Sequence, residues 1–156
     1  MSNPEPNNHQ EYLHKLRHTA EHVLTDAMHQ LYGRDKVVMA MGPATEDGFY
    51  FDFDTPEDFS VTEDMFAEIE QKMQEIIDQD LKLQKLELPL AKARRIFADN
   101  PFKQEWLDEI EEGQESASVY LMGAEDELKT DVEYLQQSSP DKIERDQLQS
   151  FIDLCK

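Results

Sequence analysis

An α+β fold, with an antiparallel sheet packed against a long N-terminal helix and further helices, is what this 156-residue sequence predicts. Three observations carry the expectation. Apolar residues recur at helical spacing from Glu11 to Tyr32; apolar and polar residues alternate from Phe49 to Asp54 and from Leu81 to Leu88; and helices and strands follow one another without a βαβ rhythm.

Residues 1–10, rich in Pro and Asn, read as a mobile tail, and residues 11–156 as one domain. In the first helix Leu16, Ala20, Val23, Leu24, Ala27, Met28 and Leu31 fall within an arc of about 140°, a core-facing stripe, and Gly33 follows as a C-cap. Val37 to Met41 is short, apolar and β-branched at its start, hence a strand. Gly42-Pro43 breaks it, Glu46-Asp47-Gly48 turns the chain, and Phe49 to Asp54 returns as the second arm of a hairpin. Ser60 or Thr62 can cap a second helix with Phe66, Ile69, Met73, Ile76 and Ile77 on its apolar face, ending near Asp80. Leu81 to Leu88 reads as a strand with one wet face; Pro89 opens a helix through Phe97, and Phe102 to Ile110 is another. Ala117 to Met122 and Phe151 to Cys155 are short strands. Between them Gly123 to Ser150, about 123–150, is an acidic insertion that reads either as helical or as a mobile loop.

The chain holds 15 Lys and Arg against 35 Asp and Glu, a net charge of −20, which argues against strong non-specific nucleic-acid binding. The charge is uneven, however. Within residues 81–104 Lys82, Lys85, Lys92, Arg94, Arg95 and Lys103 outnumber the acids, so this segment is the one able to meet a phosphate, with a solvated basic helix face as the ordinary alternative. No run approaches the roughly 18 apolar residues that cross a bilayer, and the start lacks the basic and apolar regions of a signal peptide. The chain is therefore expected to be soluble and cytoplasmic, without a membrane partner. Its one cysteine, Cys155, cannot staple the fold, in keeping with a reducing compartment.

His14, His18, His22 and His29 share one stripe of the first helix, within an arc of about 80° beside the apolar face. His18 and His22, at i and i+4, direct two ring nitrogens to one spot, which suits a metal ion or the positioning of a water; a solvated or capping pair is the ordinary alternative. Asp153 and Cys155 share a strand face, and with the two histidines they would make either a tetrahedral zinc set or an acid/base cluster. Cys155 also reads as a buried structural residue. The acids at Glu46, Asp47, Asp52 and Asp54 are explained as well by a turn and a wet strand face as by a hard-metal site.

The segments Arg17-His18-Thr19-Ala20-Glu21-His22-Val23-Leu24, Met41-Gly42-Pro43, Glu46 to Asp52, Asn100-Pro101-Phe102-Lys103 and Phe151 to Cys155 resemble, in order and spacing, the N-terminal editing domain of bacterial threonyl-tRNA synthetases, shared in outline with the alanyl enzymes. The resemblance runs from about Gln10 over nearly the whole chain. It implies hydrolysis of a seryl ester mischarged onto threonine tRNA, beside the ATP-dependent attachment of threonine by the parent enzyme. It also implies roles: His18 and His22 position water and ribose, Lys103 meets the oxyanion or a phosphate, Asp153 meets the substrate amine, Cys155 completes the D-x-C segment, and Tyr50 lies on the substrate-binding side. Lys92, Arg94 and Arg95 are the added substrate-binding candidates from the basic segment. The implied partners are a tRNA 3′ end carrying an aminoacyl ester and the rest of the synthetase, with a homodimeric parent. No cofactor or metal is expected in this piece, whereas the parent would use ATP, magnesium and zinc in its catalytic domain. The family pattern continues D-x-C-x-G-P-H and the sequence stops at Lys156, so the domain is expected to be incomplete at its C-terminus, and the insertion after Gly123 is longer than the family's link. Two alternatives stand beside the editing domain: a non-catalytic tRNA-docking or spacer module, and a zinc-binding domain of the alanyl type with His18, His22 and Cys155 as ligands.

Overall fold

The computed structural model describes residues 6–40, 46–50, 52–113 and 116–155, and shows an α+β protein with a long N-terminal helix and antiparallel sheets. The chain divides into two compact units, Met1–Ile77 and Asp78–Lys156. No helix among the described residues is long and apolar enough to cross a membrane.

In the first unit, α1 (Pro6–Tyr32) begins five residues ahead of the first apolar repeat, within the stretch the sequence reads as tail, and its first described turns are exposed. Pro6 is tolerated there because the first helical N–H has no intrahelical acceptor in any case. The helix ends at Gly33, whose φ of +91° is open to glycine and strained for other residues, and whose N–H bonds to the carbonyl of His29 at 2.9 Å. β1 (Val38–Met39) and β2 (Phe53–Asp54) pair antiparallel, Val38 opposite Asp54 and Met39 opposite Phe53. The hairpin is thus present with shorter arms than the pattern suggests, and Met41, Gly42, Pro43 and Phe51 lie outside the described residues. Thr62 precedes a 3₁₀ turn over Glu63–Met65 that leads into α2 (Phe66–Asp78). Met28, Val37, Met39 and Ile69 form the buried centre, with Leu24, Leu31, Phe53, Phe59 and Met73 packed on it.

The second unit is a three-stranded antiparallel sheet, β3 (Lys82–Pro89), β4 (Ser116–Gly123) and β5 (Phe151–Cys155), with β4 in the centre. Its register decides which residues share a face. Leu86, Val119 and Leu154 form one cross-strand row, and Lys85, Tyr120 and Asp153 form the next, so by alternation they lie on opposite faces. The apolar face, with Leu88, Ala117, Leu121 and Ile152, is buried against α3 (Leu90–Ile96), α4 (Pro101–Glu111) and α5 (Glu125–Gln137).

Asn100 caps α4: its Oδ1 accepts from the N–H groups of Phe102 and Lys103 at 3.0 and 3.1 Å, and Pro101 fills the first helical position. Asn100→Ala is expected to lower stability by about 1 kcal/mol, seen as a lower urea midpoint at unchanged slope. An unmoved midpoint would mean that water replaces the cap without cost.

The acidic insertion resolves in favour of its helical reading. α5 buries Leu128 and Leu135 in the sheet's core, and Ile143 joins them from the turn that follows. Buried Asp131 accepts from the N–H groups of Gln149 and Ser150, at 3.1 and 2.7 Å, and from the Ser150 hydroxyl, which returns the chain to β5.

Candidate functional site

Helical geometry alone brings His18 and His22 together. One turn apart, their Nε2 atoms lie 2.8 Å from each other, with ring centroids 4.4 Å apart and planes at 85°. At that separation one nitrogen donates and the other accepts, so the two imidazoles share one proton position between them. His22 is 1% exposed and His18 half-buried. Behind His22 stands Glu21, itself 4% exposed, with Oε2 at 3.6 Å from His22 Nδ1. The Thr25 hydroxyl lies 3.1 Å from Glu21 Oε1 and 2.9 Å from the Glu21 carbonyl, which fixes the carboxylate's rotamer. The sequence reading missed Glu21 as a functional residue. The signal was there, because position i+3 from His18 falls on the same side of the helix as the pair.

The second unit holds the other predicted residues. Lys103, from the first turn of α4, places Nζ 3.2 Å from Oδ1 of Asp153 on β5, and both residues are more than nine-tenths buried. The same ammonium lies 5.7 Å from the centroid of the Trp106 ring, one turn along α4. The Asp153 carboxylate also accepts from the Leu154 N–H at 2.9 Å. Cys155 is on the same strand, its backbone opposite Ser118. Tyr50 sits ahead of β2 in the first unit and is exposed.

Three cations of the basic segment, Lys92, Arg94 and Arg95, bind within their own unit, whereas Lys82 and Lys85 on β3 are exposed. Lys92 Nζ donates to the carbonyls of Leu135 and Gln136 at 2.8 and 3.1 Å, at the end of α5 where a cation complements the helix dipole. Arg95 donates to the carbonyl of Ile143 at 2.9 Å and pairs with Glu144 at 3.0 Å. Arg94 pairs with Asp108 and Glu111 at 2.9 and 2.6 Å. The Asp108 hydrogen bond foremost, then Glu111, holds its guanidinium above the ordinary range.

Chemically, the first unit offers an imidazole pair with a carboxylate behind it, a set that can take a proton from water or hold a metal. The ligand atoms of His18, Glu21 and His22 all lie within 4.8 Å of one another. The second unit offers a buried charge pair able to meet an ammonium and an anion.

No family model matches the chain. It is similar to several curated threonine–tRNA ligases. With that of Thermotoga maritima it is 38% identical over 107 residues, covering 69% of this chain and 16% of the relative. With that of Clostridium acetobutylicum it is 46% identical over 99 residues, 62% of this chain and 15% of the relative. With that of Clostridium perfringens the figures are 38% over 110 residues, 70% and 16%. The chain spans about one sixth of the length of the curated relatives it matches.

Proposed function

From a chain related over 69% of its length to a segment of threonine–tRNA ligases, we propose an editing module that hydrolyses seryl esters on threonine tRNA. The observation that carries the reading is the His18–His22 pair, on a helix whose surrounding sequence resembles the family's editing motif. Water gives a proton to an imidazole and its oxygen adds to the ester carbonyl carbon. The bond to the ribose oxygen then breaks, and the proton returns to that oxygen. His18 and His22 handle water and ribose, Lys103 the negative charge developing on oxygen, and Asp153 the substrate ammonium. Tyr50 and Cys155 belong to the substrate side. The parent's ATP-dependent attachment of threonine, its homodimeric assembly and its cytoplasmic setting belong to the same proposal.

The test is deacylation of seryl-tRNA specific for threonine, compared among the chain, His18→Ala and His22→Ala. Loss of hydrolysis on the order of 10²-fold in either variant supports the reading. Equal rates in all three proteins refute it.

A second reading, a zinc-binding domain, is favoured by the compact ligand set at His18, Glu21 and His22. Two nitrogens on tetrahedral zinc sit about 3.3 Å apart, so the pair would need to open slightly from its 2.8 Å contact. Elemental analysis of protein purified without chelator decides it: stoichiometric zinc lost in His22→Ala supports a metal centre, and absence of zinc removes it.

A further inference from the structure

We infer that Glu21 is a positioning residue of the imidazole pair, setting the tautomer of His22 so that its Nε2 faces His18 as the proton acceptor. The inference deepens the hydrolytic reading and rests on it. Two neutral imidazoles in Nε2···Nε2 contact at 2.8 Å can be arranged in two ways, with His18 donating or with His22 donating. The contact itself does not choose. Glu21 does, because Oε2 stands 3.6 Å from His22 Nδ1, too long for a hydrogen bond but close enough for its charge to be felt. A negative charge there favours an N–H at Nδ1 over a lone pair. Both side chains are buried, so little water screens the preference. With the proton on Nδ1, His22 Nε2 carries the lone pair, and His18 donates to it.

The carboxylate is held for this task from its other side. Thr25 Oγ1, one turn along, lies 3.1 Å from Oε1, so Glu21 is anchored at one oxygen and presents the other to the ring. The arrangement follows the logic by which a carboxylate behind a catalytic histidine fixes the ring's tautomer and orientation. The sequence supplies it economically: His18, Glu21, His22 and Thr25 lie within eight residues of one helix.

Histidine-selective ¹⁵N labelling of the full chain reads the tautomer directly, because protonated and unprotonated ring nitrogens differ in shift. His22 is expected as the Nδ1–H form. Glu21→Gln keeps the side-chain shape but can offer an amide N–H to Nδ1, so it should turn His22 toward the Nε2–H form. It should also lower kcat for seryl-tRNA deacylation about tenfold with KM within about twofold, and Glu21→Asp should recover part of the loss. A wild-type His22 protonated on Nε2, or an unaltered tautomer or kcat in Glu21→Gln, overturns the inference. The wild-type assignment decides without any variant having to fold. If wild-type hydrolysis does not exceed that of His22→Ala, the hydrolytic reading falls, while the tautomer still tells whether Glu21 sets the ring.

Discussion

Asp153→Leu is expected to destabilise the second unit by about 3–5 kcal/mol, and Lys103→Met by a similar amount, because each removes one member of a buried ion pair and leaves the other buried. The side chains are 6% and 11% exposed and meet at 3.2 Å, so neither survivor can recover its lost hydration without opening the structure. The double variant Lys103→Met/Asp153→Leu is expected close to wild type in stability, since two apolar groups of similar volume replace two desolvated ions. Urea unfolding followed by the fluorescence of Trp106, the one tryptophan and a neighbour of the Lys103 ammonium, is the measurement. Single variants that lose less than about 1 kcal/mol, or a double variant as unstable as the sum of the two, would show that the pair is solvated in solution. The double variant also separates two roles. Under the proposed chemistry it should fold but fail to hydrolyse seryl-tRNA, because its core is repaired while the ammonium and carboxylate are gone.

The second large effect is expected at Leu135, whose replacement by alanine should cost about 2–5 kcal/mol. Leu135 is fully buried in the sheet's core, with Val119, Leu121 and Ile143, although it lies within a segment whose composition is acidic and polar. The same urea experiment tests it. A loss under about 1 kcal/mol would mean that α5 adds little to the core and that the insertion is an appendage. The electrostatic stitching argues for the larger value: Lys92 reaches the end of α5, Arg95 reaches Ile143, and Arg145 donates to the carbonyl of Ile152 at 3.2 Å.

Much of the fold was legible because local spacing reports burial. The stripe of α1 from Ala20 to Leu31, the strands β3 and β4, and the Asn100-Pro101 start of α4 each appear at or near the places their patterns indicate, whereas Leu16, placed on the same stripe, is exposed. The insertion remained ambiguous for a physical reason. Five acids in α5 mask an apolar stripe of Leu128, Val132 and Leu135, whose spacings of four and three are helical and which packs on the core. For Lys92, Arg94 and Arg95 the pattern leaves a phosphate-meeting patch and a solvated helix face open, since a run of cations looks the same whether its partners are solvent, phosphate or the protein's own carbonyls. Each has partners inside the second unit.

The sequence by itself determined the His18–His22 pair and the Glu21 and Thr25 that accompany it, because an α-helix places i, i+3 and i+4 side by side wherever it forms. It also determined the alternating strand faces. What the tertiary structure alone decided is which charges meet across long stretches of chain. Lys103 and Asp153 are fifty positions apart, and nothing local makes them partners. Sheet register and the placement of α4 bring them together, and burial then makes their separation costly, so a match between distant charges depends on the whole unit being folded.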